Sequence, residues 1–240
     1  MNVAVIFAGG VGTRMNSKAK PKQFLELHGK PIIIHTVELF EKHPKIDGII
    51  ISSVKEWTEY LKEILFKFHI KKVMEVVPGG ETGQLSIFNG LEAAEKHFPS
   101  DSVVLIHDGV RPLINEQTIT DNIEQVKKCG SAITTAPTVE TFVIVDDNLS
   151  VVEIPKRSLS KLARAPQSFI LSDILGVHRQ AQKDNIFDSI DSCTLMRLYN
   201  KSLTLVEGPR ENIKITTPTD FYIFRAIFET RENNQIFGFE

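Results

Sequence analysis

Five short runs of apolar, largely β-branched residues recur along the chain: Val3–Phe7, Ile49–Ser53, Val73–Val77, Val103–Ile106 and Ala132–Ala136. Continuous apolar runs of this length suit strands covered on both faces, as in parallel sheets. Between them, Ile34–Lys42, Glu56–Phe66, Ser86–Lys96 and Thr118–Lys128 carry helical spacing. Alternating strand and helix predicts an α/β fold with a doubly wound, mostly parallel open sheet. The alternation breaks after Pro137. Phe142–Val145 and Val151–Ile154 flank the turn-rich Asp146-Asp147-Asn148, which predicts a β-hairpin projecting as an arm over roughly residues 138–160. Apolar strands on such an arm need cover, from a second copy of the chain or from the arm's own domain. A helix over Ser172–Gln182, a strand over Ser202–Val206 and a closing helix over Pro218–Thr230 complete the pattern, read as one domain spanning residues 1–240.

At 240 residues the chain can bury a substantial core. Its formal net charge of -2 gives no sign of a polybasic nucleic-acid surface and leaves room for a local phosphate site. Cys129 and Cys193 lie far apart and outside any CxxC pattern, which fits two ordinary thiols in a reducing compartment. No segment reaches transmembrane length, and the apolar start lacks the basic lead of a signal peptide, so a cytoplasmic location is expected.

Chemistry enters directly after the first run, at Ala8-Gly9-Gly10-Val11-Gly12-Thr13-Arg14-Met15. Glycines let backbone N–H groups approach a phosphate, and Arg14 adds a planar, permanent cation. The loop lacks the Gly-Lys-Ser/Thr end of a P-loop. It also fails GxGxxG, because Ser17 and Lys18 follow instead of a third glycine in register. A dinucleotide-dependent oxidoreductase is therefore disfavoured. Pro21-Lys22-Gln23-Phe24-Leu25 follows, and Lys22 supplies a second cation to the same loop, a pairing suited to a triphosphate.

Three further segments stand in order behind it: His107-Asp108-Gly109-Val110-Arg111-Pro112, Ala165-Pro166-Gln167-Ser168-Phe169, and Glu211-Asn212-Ile213-Lys214-Ile215-Thr216-Thr217-Pro218 with Asp220. Together with the glycine loop and PKQFL, they resemble the signature of the cytidylyltransferases acting on methylerythritol phosphate or ribitol 5-phosphate. The resemblance spans residues 7 to 220. It implies a Rossmann-like domain, a β-arm that mediates homodimerisation, and Mg2+-dependent transfer of CMP from CTP to a small polyol phosphate, with no nucleic acid or membrane partner. Gly29–Glu38 and Ser52–Trp57 look closer to the ribitol phosphate branch, although the methylerythritol branch stays open as the alternative.

The resemblance also implies roles. Arg14, Lys22 and Lys214 would stabilise charge during transfer. Ala8, Gly9, Gly10, Gly12, Thr13 and Gly109 would line the nucleotide, and Gly80, Glu81 and Ser86 would meet its base. Arg111, Thr141 and Arg157 would hold the acceptor phosphate. Asp108, at the carboxyl edge of a buried strand, is the candidate Mg2+ ligand; capping the next helix or pairing with Arg111 are its alternatives. His107 precedes it and can orient it. The chain departs from the family pattern at Gly83 (usually arginine), Leu85 (aspartate), Glu140 (aspartate) and Ala165 (threonine). The cations on the CTP side are intact while the acceptor side is altered. That contrast predicts retained nucleotidyl transfer with a shifted acceptor, or else a nucleotide-binding homologue without turnover.

Overall fold

The computed structural model describes residues 1–9 and 20–237, with side chains described as far as residue 233. Its strands are β1 (Asn2–Ala8), β2 (Glu26–Leu27), β3 (Lys30–Pro31), β4 (Gly48–Ser53), β5 (Val73–Pro78), β6 (Val103–Asp108), β7 (Ser131–Pro137), β8 (Ile144–Val145), β9 (Val151–Glu153), β10 (Lys161–Ile170) and β11 (Leu205–Glu207). Its helices are α1 (Ile32–Lys42), α2 (Thr58–Lys67), α3 (Gly83–His97), α4 (Glu116–Cys129), α5 (Leu171–Lys183), α6 (Ser192–Leu198) and α7 (Pro218–Phe237).

A seven-stranded sheet runs in the order β11-β7-β10-β6-β1-β4-β5. All neighbouring pairs are parallel except the two made by β10, which runs antiparallel between β6 and β7. The predicted mixed, mostly parallel α/β sheet is therefore observed. Side chains of β1 alternate between two cores, as a period of two requires. Ala4 and Ile6 pack on one face with Ile34 and Phe40 of α1, Leu61 of α2 and Ile123 of α4. Val3 and Val5 pack on the other with Leu91 of α3, Leu175 of α5 and Leu195 of α6. Both faces are covered, which is why the run Val3–Ile6 reads as apolar at every position.

β10 and α6 were not anticipated as elements. β10 begins on polar Lys161 and contains Arg164, Pro166 and Gln167, so it carries no apolar run. α6 is only seven residues long, too short for a periodic signal. Its start is chemical instead: the Asp191 carboxylate caps it by accepting from the Thr194 N–H at 2.8 Å.

The arm is a separate two-stranded ladder of β8 and β9. Residues 139–154 are all exposed, including Phe142, Val143, Ile144, Val145, Val151, Val152 and Ile154. In the chain taken alone, the hairpin does not fold back onto the core.

Candidate active site

The ends of β6, β1, β4 and β5 lie side by side at the carboxyl edge of the sheet, where open α/β sheets bind ligands. A cavity of about 310 Å³ opens there, lined by Phe7, Ala8, Gly9, Lys22, Gly80, Glu81, Ser86, Asp108 and Lys214, among others. Eight of the candidate residues thus converge from five separate stretches of sequence. Gly10, Gly12, Thr13 and Arg14 lie outside the described residues. Gly109 stands just behind the wall. A β-carbon there would come within 3.0 Å of the Ala8 β-carbon, so its lack of a side chain lets β6 turn close against β1.

The loop between β5 and α3 is held by its own hydroxyls. Ser86 Oγ accepts from the Gly80 N–H at 3.1 Å and donates to the Thr82 carbonyl at 2.9 Å. Thr82 Oγ1 accepts from the Leu85 N–H, capping α3, and donates to the Phe187 carbonyl. A side chain at Gly9 would strike Ser86 Oγ at 2.6 Å, and one at Gly80 would strike the Leu85 β-carbon at 2.3 Å. Leu85 therefore packs against the glycine turn. Gln23 ties the other rim down by donating to the Ala8 carbonyl at 2.8 Å.

Asp108 forms the floor. Its Oδ2 accepts from Arg111 Nε at 3.0 Å, and its Oδ1 lies 2.6 Å from Lys214 Nζ. Burial alone would raise its pKa, but the two cations outweigh burial and hold the carboxyl well below the usual carboxylate range. It is ionised at any working pH. His107 does not bond Asp108 directly. Its Nε2 sits 3.1 Å from the Arg111 carbonyl, closing the turn that carries both residues. Complete burial pushes this histidine down to about 4, so it is neutral near pH 7.

A second cavity, of about 260 Å³, adjoins the first and shares Phe7, Gly83, Asp108 and Lys214 with it. Its own lining includes Arg111, Arg164, Ala165, Gln167 and Asp191. Asn212, fully buried, is the hub behind it. Its Nδ2 donates to the Ala165 carbonyl at 2.8 Å, while its own carbonyl accepts from Arg111 Nη1 at 2.8 Å and Arg164 Nη1 at 2.6 Å. The next turn is fixed by a reciprocal cap. Asp220 accepts from the Thr217 N–H at 2.7 Å and Thr217 Oγ1 accepts from the Asp220 N–H at 3.3 Å. Lys214 is thereby presented from a braced segment.

Arg157 and Thr141 are brought to each other, not to either cavity. Arg157 Nη2 donates to Thr141 Oγ1 at 3.0 Å in an open recess at the base of the arm. Glu140 is exposed beside them. The sequence reading missed the bracing residues Asn212, Gln23 and Thr82 and the cavity-facing Arg164. Asn212, Gln23 and Arg164 sit inside or next to quoted motifs, and only their contacts distinguish them.

Mg2+ requires one or two carboxylates, the rest of its shell coming from phosphates and water. Among the described residues no group of three or more His, Cys, Asp or Glu side chains is gathered as a metal cage. One permanently ionised carboxylate at the floor of a cation-rimmed cavity fits an ion delivered with a polyphosphate.

The geometry gives two adjoining cavities that share Asp108 and Lys214 and are bordered by cations. Comparison with known proteins gives the site a family. Residues 2–230 match the family model described as IspD, 2-C-methyl-D-erythritol 4-phosphate cytidylyltransferase. A ribitol-5-phosphate cytidylyltransferase of Vibrio parahaemolyticus is 61% identical over 238 residues, covering 99% of this chain and 100% of that protein. A 2-C-methyl-D-erythritol 4-phosphate cytidylyltransferase of Desulforamulus reducens is 35% identical over 95% of this chain and 96% of its own length. The crystal structure of the 4-diphosphocytidyl-2C-methyl-D-erythritol synthase of Anaerococcus prevotii superposes with a TM-score of 0.81 at 28% identity, covering 95% of this chain and 96% of that one. The chain belongs to the IspD family of cytidylyltransferases. No helix among the described residues is long and apolar enough to cross a membrane.

Proposed function

We propose that the protein transfers CMP from CTP to D-ribitol 5-phosphate, giving CDP-ribitol and pyrophosphate in the cytoplasm. One observation carries the choice of acceptor: 61% identity over nearly the whole chain to a protein described as acting on ribitol 5-phosphate, against 35% to one described as acting on methylerythritol phosphate.

The triphosphate lies in the glycine-walled cavity, and the acceptor in the adjoining one, so that both meet at Asp108 and Lys214. A phosphate oxygen of the acceptor attacks the α-phosphorus of CTP. The new P–O bond forms as the bond to the β-phosphate oxygen breaks, and pyrophosphate leaves. Phosphate monoesters are largely dianionic at neutral pH, so no strong general base is needed. Lys22 and Lys214 stabilise the charge spreading over the α-phosphate and the leaving group, with Arg14 assigned the same role by resemblance. Asp108 would hold Mg2+, whose chemistry when bound is to neutralise phosphate charge. Arg111, anchored through Asp108 and Asn212, faces the acceptor.

The apolar arm supports a homodimer. A second copy laid over Val143, Val145, Val151 and Ile154 would cover them, and Arg157 and Thr141 would then serve the acceptor phosphate in the partner's site. Light scattering on the chromatographed protein checks the dimer.

The reaction is tested by pyrophosphate release from CTP and Mg2+ with ribitol 5-phosphate and methylerythritol 4-phosphate in parallel. Release with ribitol 5-phosphate alone is expected. Release with methylerythritol 4-phosphate alone, or with neither, overturns the assignment.

A further inference from the structure

Arg164 lies where β10 loses register with β7, between Ala163 and Gln167. Such irregularities re-aim side chains, and here Arg164 joins the lining of the acceptor-side cavity. It is half-buried, and its only hydrogen bond among the described residues is from Nη1 to the Asn212 carbonyl. That oxygen already accepts from Arg111 Nη1. Two guanidinium groups therefore crowd one neutral acceptor. Nε of Arg164 is buried without a partner, and no described carboxylate forms an ion pair with it. The carboxylates around it are committed elsewhere: Asp108 to Arg111 and Lys214, Asp191 to Gln167 and the α6 cap, Glu211 to Arg231. Burial, with the Arg111 charge added to it, lowers the pKa of Arg164, and the Glu211 charge offsets this only in part.

An unpaired, half-buried cation beside a second one costs stability unless something neutralises it. A polyol phosphate does so. Its phosphate offers several acceptor oxygens, and guanidinium groups meet that geometry with paired N–H bonds. Neighbouring Ala163 and Ala165 offer only methyl groups. Cations border the nucleotide cavity too, but Arg164 is absent from its lining.

We propose that Arg164 is a further acceptor-binding residue, which together with Arg111 docks the phosphate of the polyol phosphate and sets the preference for a phosphorylated acceptor. The proposal rests on the cytidylyl transfer assigned above. It makes Arg164 a contributor to acceptor affinity and leaves CTP binding to the other cavity.

The test is steady-state kinetics of the full-length protein and of Arg164→Leu and Arg164→Lys, varying CTP and ribitol 5-phosphate separately. The Leu variant should raise KM for ribitol 5-phosphate by about ten- to a hundredfold, the range for losing charge-assisted hydrogen bonds. KM for CTP should stay within about twofold, and the Lys variant should recover part of the loss. Calorimetric titration of inorganic phosphate into the CTP-loaded protein reads the same anion site without a polyol, so it still decides if ribitol 5-phosphate proves to be the wrong acceptor. A wild type silent with ribitol 5-phosphate would sink the assigned reaction only. Unchanged phosphate affinity in the Leu variant would sink the role of Arg164. So would a rise in the KM for CTP equal to that for the acceptor, because that pattern means Arg164 merely braces the Asn212 segment. Thermal melts of both variants identify any that fail to fold, and the Lys variant then carries the comparison.

Discussion

The two adjoining cavities are built differently. On the nucleotide side, the side-chain groups of Ser86, Thr82 and Gln23 are all bonded within the wall. On the acceptor side, Arg164 Nε, Asn212 Oδ1 and Ser192 Oγ are buried without partners, and behind them both ring nitrogens of His178 are unbonded. A wall that satisfies itself is rigid and presents backbone to its ligand. A wall with unspent donors and acceptors can form new bonds with a ligand of particular shape. The first suits a substrate common to the whole family, the second one that varies within it.

Lys214 belongs to both cavities, and its loss gives the largest expected effect. Lys214→Ala removes a charge placed by a braced segment and should lower kcat/KM by about a hundred- to a thousandfold, measured by pyrophosphate release. The two KM values should move far less than kcat. A loss confined to the KM of one substrate would assign Lys214 to that substrate's binding and break the shared-floor picture.

Two buried histidines near the cavities, His107 and His178, differ in the same way. His107 bonds the Arg111 carbonyl beneath Asp108, whereas His178 stacks on Phe88 with neither ring nitrogen bonded. Burial lowers both from the usual 6.5 to about 4. Below pH 6.5 the unfolded chain takes up protons that the folded chain refuses. Stability is therefore full above that pH and declines as the pH falls to about 4, by roughly 3 kcal/mol for each histidine. His178→Leu should remove about half of this decline, as read from urea unfolding at pH 7 and pH 5. An unchanged slope would mean that His178 is not buried in its neutral form.

Ser86→Ala comes next. It strips the hydroxyl that the Gly80 N–H and the Thr82 carbonyl share, at a cost of about 1–2 kcal/mol. KM for CTP should rise about tenfold while KM for the acceptor stays within about twofold. Equal rises would mean that the two walls are mechanically one.

The same contrast explains what could be read in advance. The strands of the parallel sheet announced themselves because burial on both faces leaves unbroken apolar runs. The nucleotide side announced itself because glycine spacing and nearby cations are local signals: Gly9, Lys22, Gly80 and Ser86 stand in short motifs and do share a cavity. The acceptor side did not. β10 interrupts its apolar pattern to supply Arg164 and Gln167, and Asn212 acts through contacts with residues 47 and 101 positions away. Neither periodicity nor spacing carries such information. Only folding makes Arg164 and Arg111 neighbours.

The smallest expected effect falls on the seam. Gly83 lines both cavities and opens α3, where the family usually has arginine. A β-carbon there would meet nothing within 4 Å, and its backbone is not in the left-handed region. Gly83→Ala should therefore stabilise by about 0.4–1 kcal/mol, mainly by restricting the unfolded chain. For a chain of this size that raises Tm by about 1–3 °C, which differential scanning calorimetry resolves. Both KM values should stay within about twofold, because a methyl group fits the space. A rise of more than about fivefold in one of them, with Tm increased as expected, would show that this substrate presses against the bare backbone at residue 83. The seam would then belong to that substrate's half of the site.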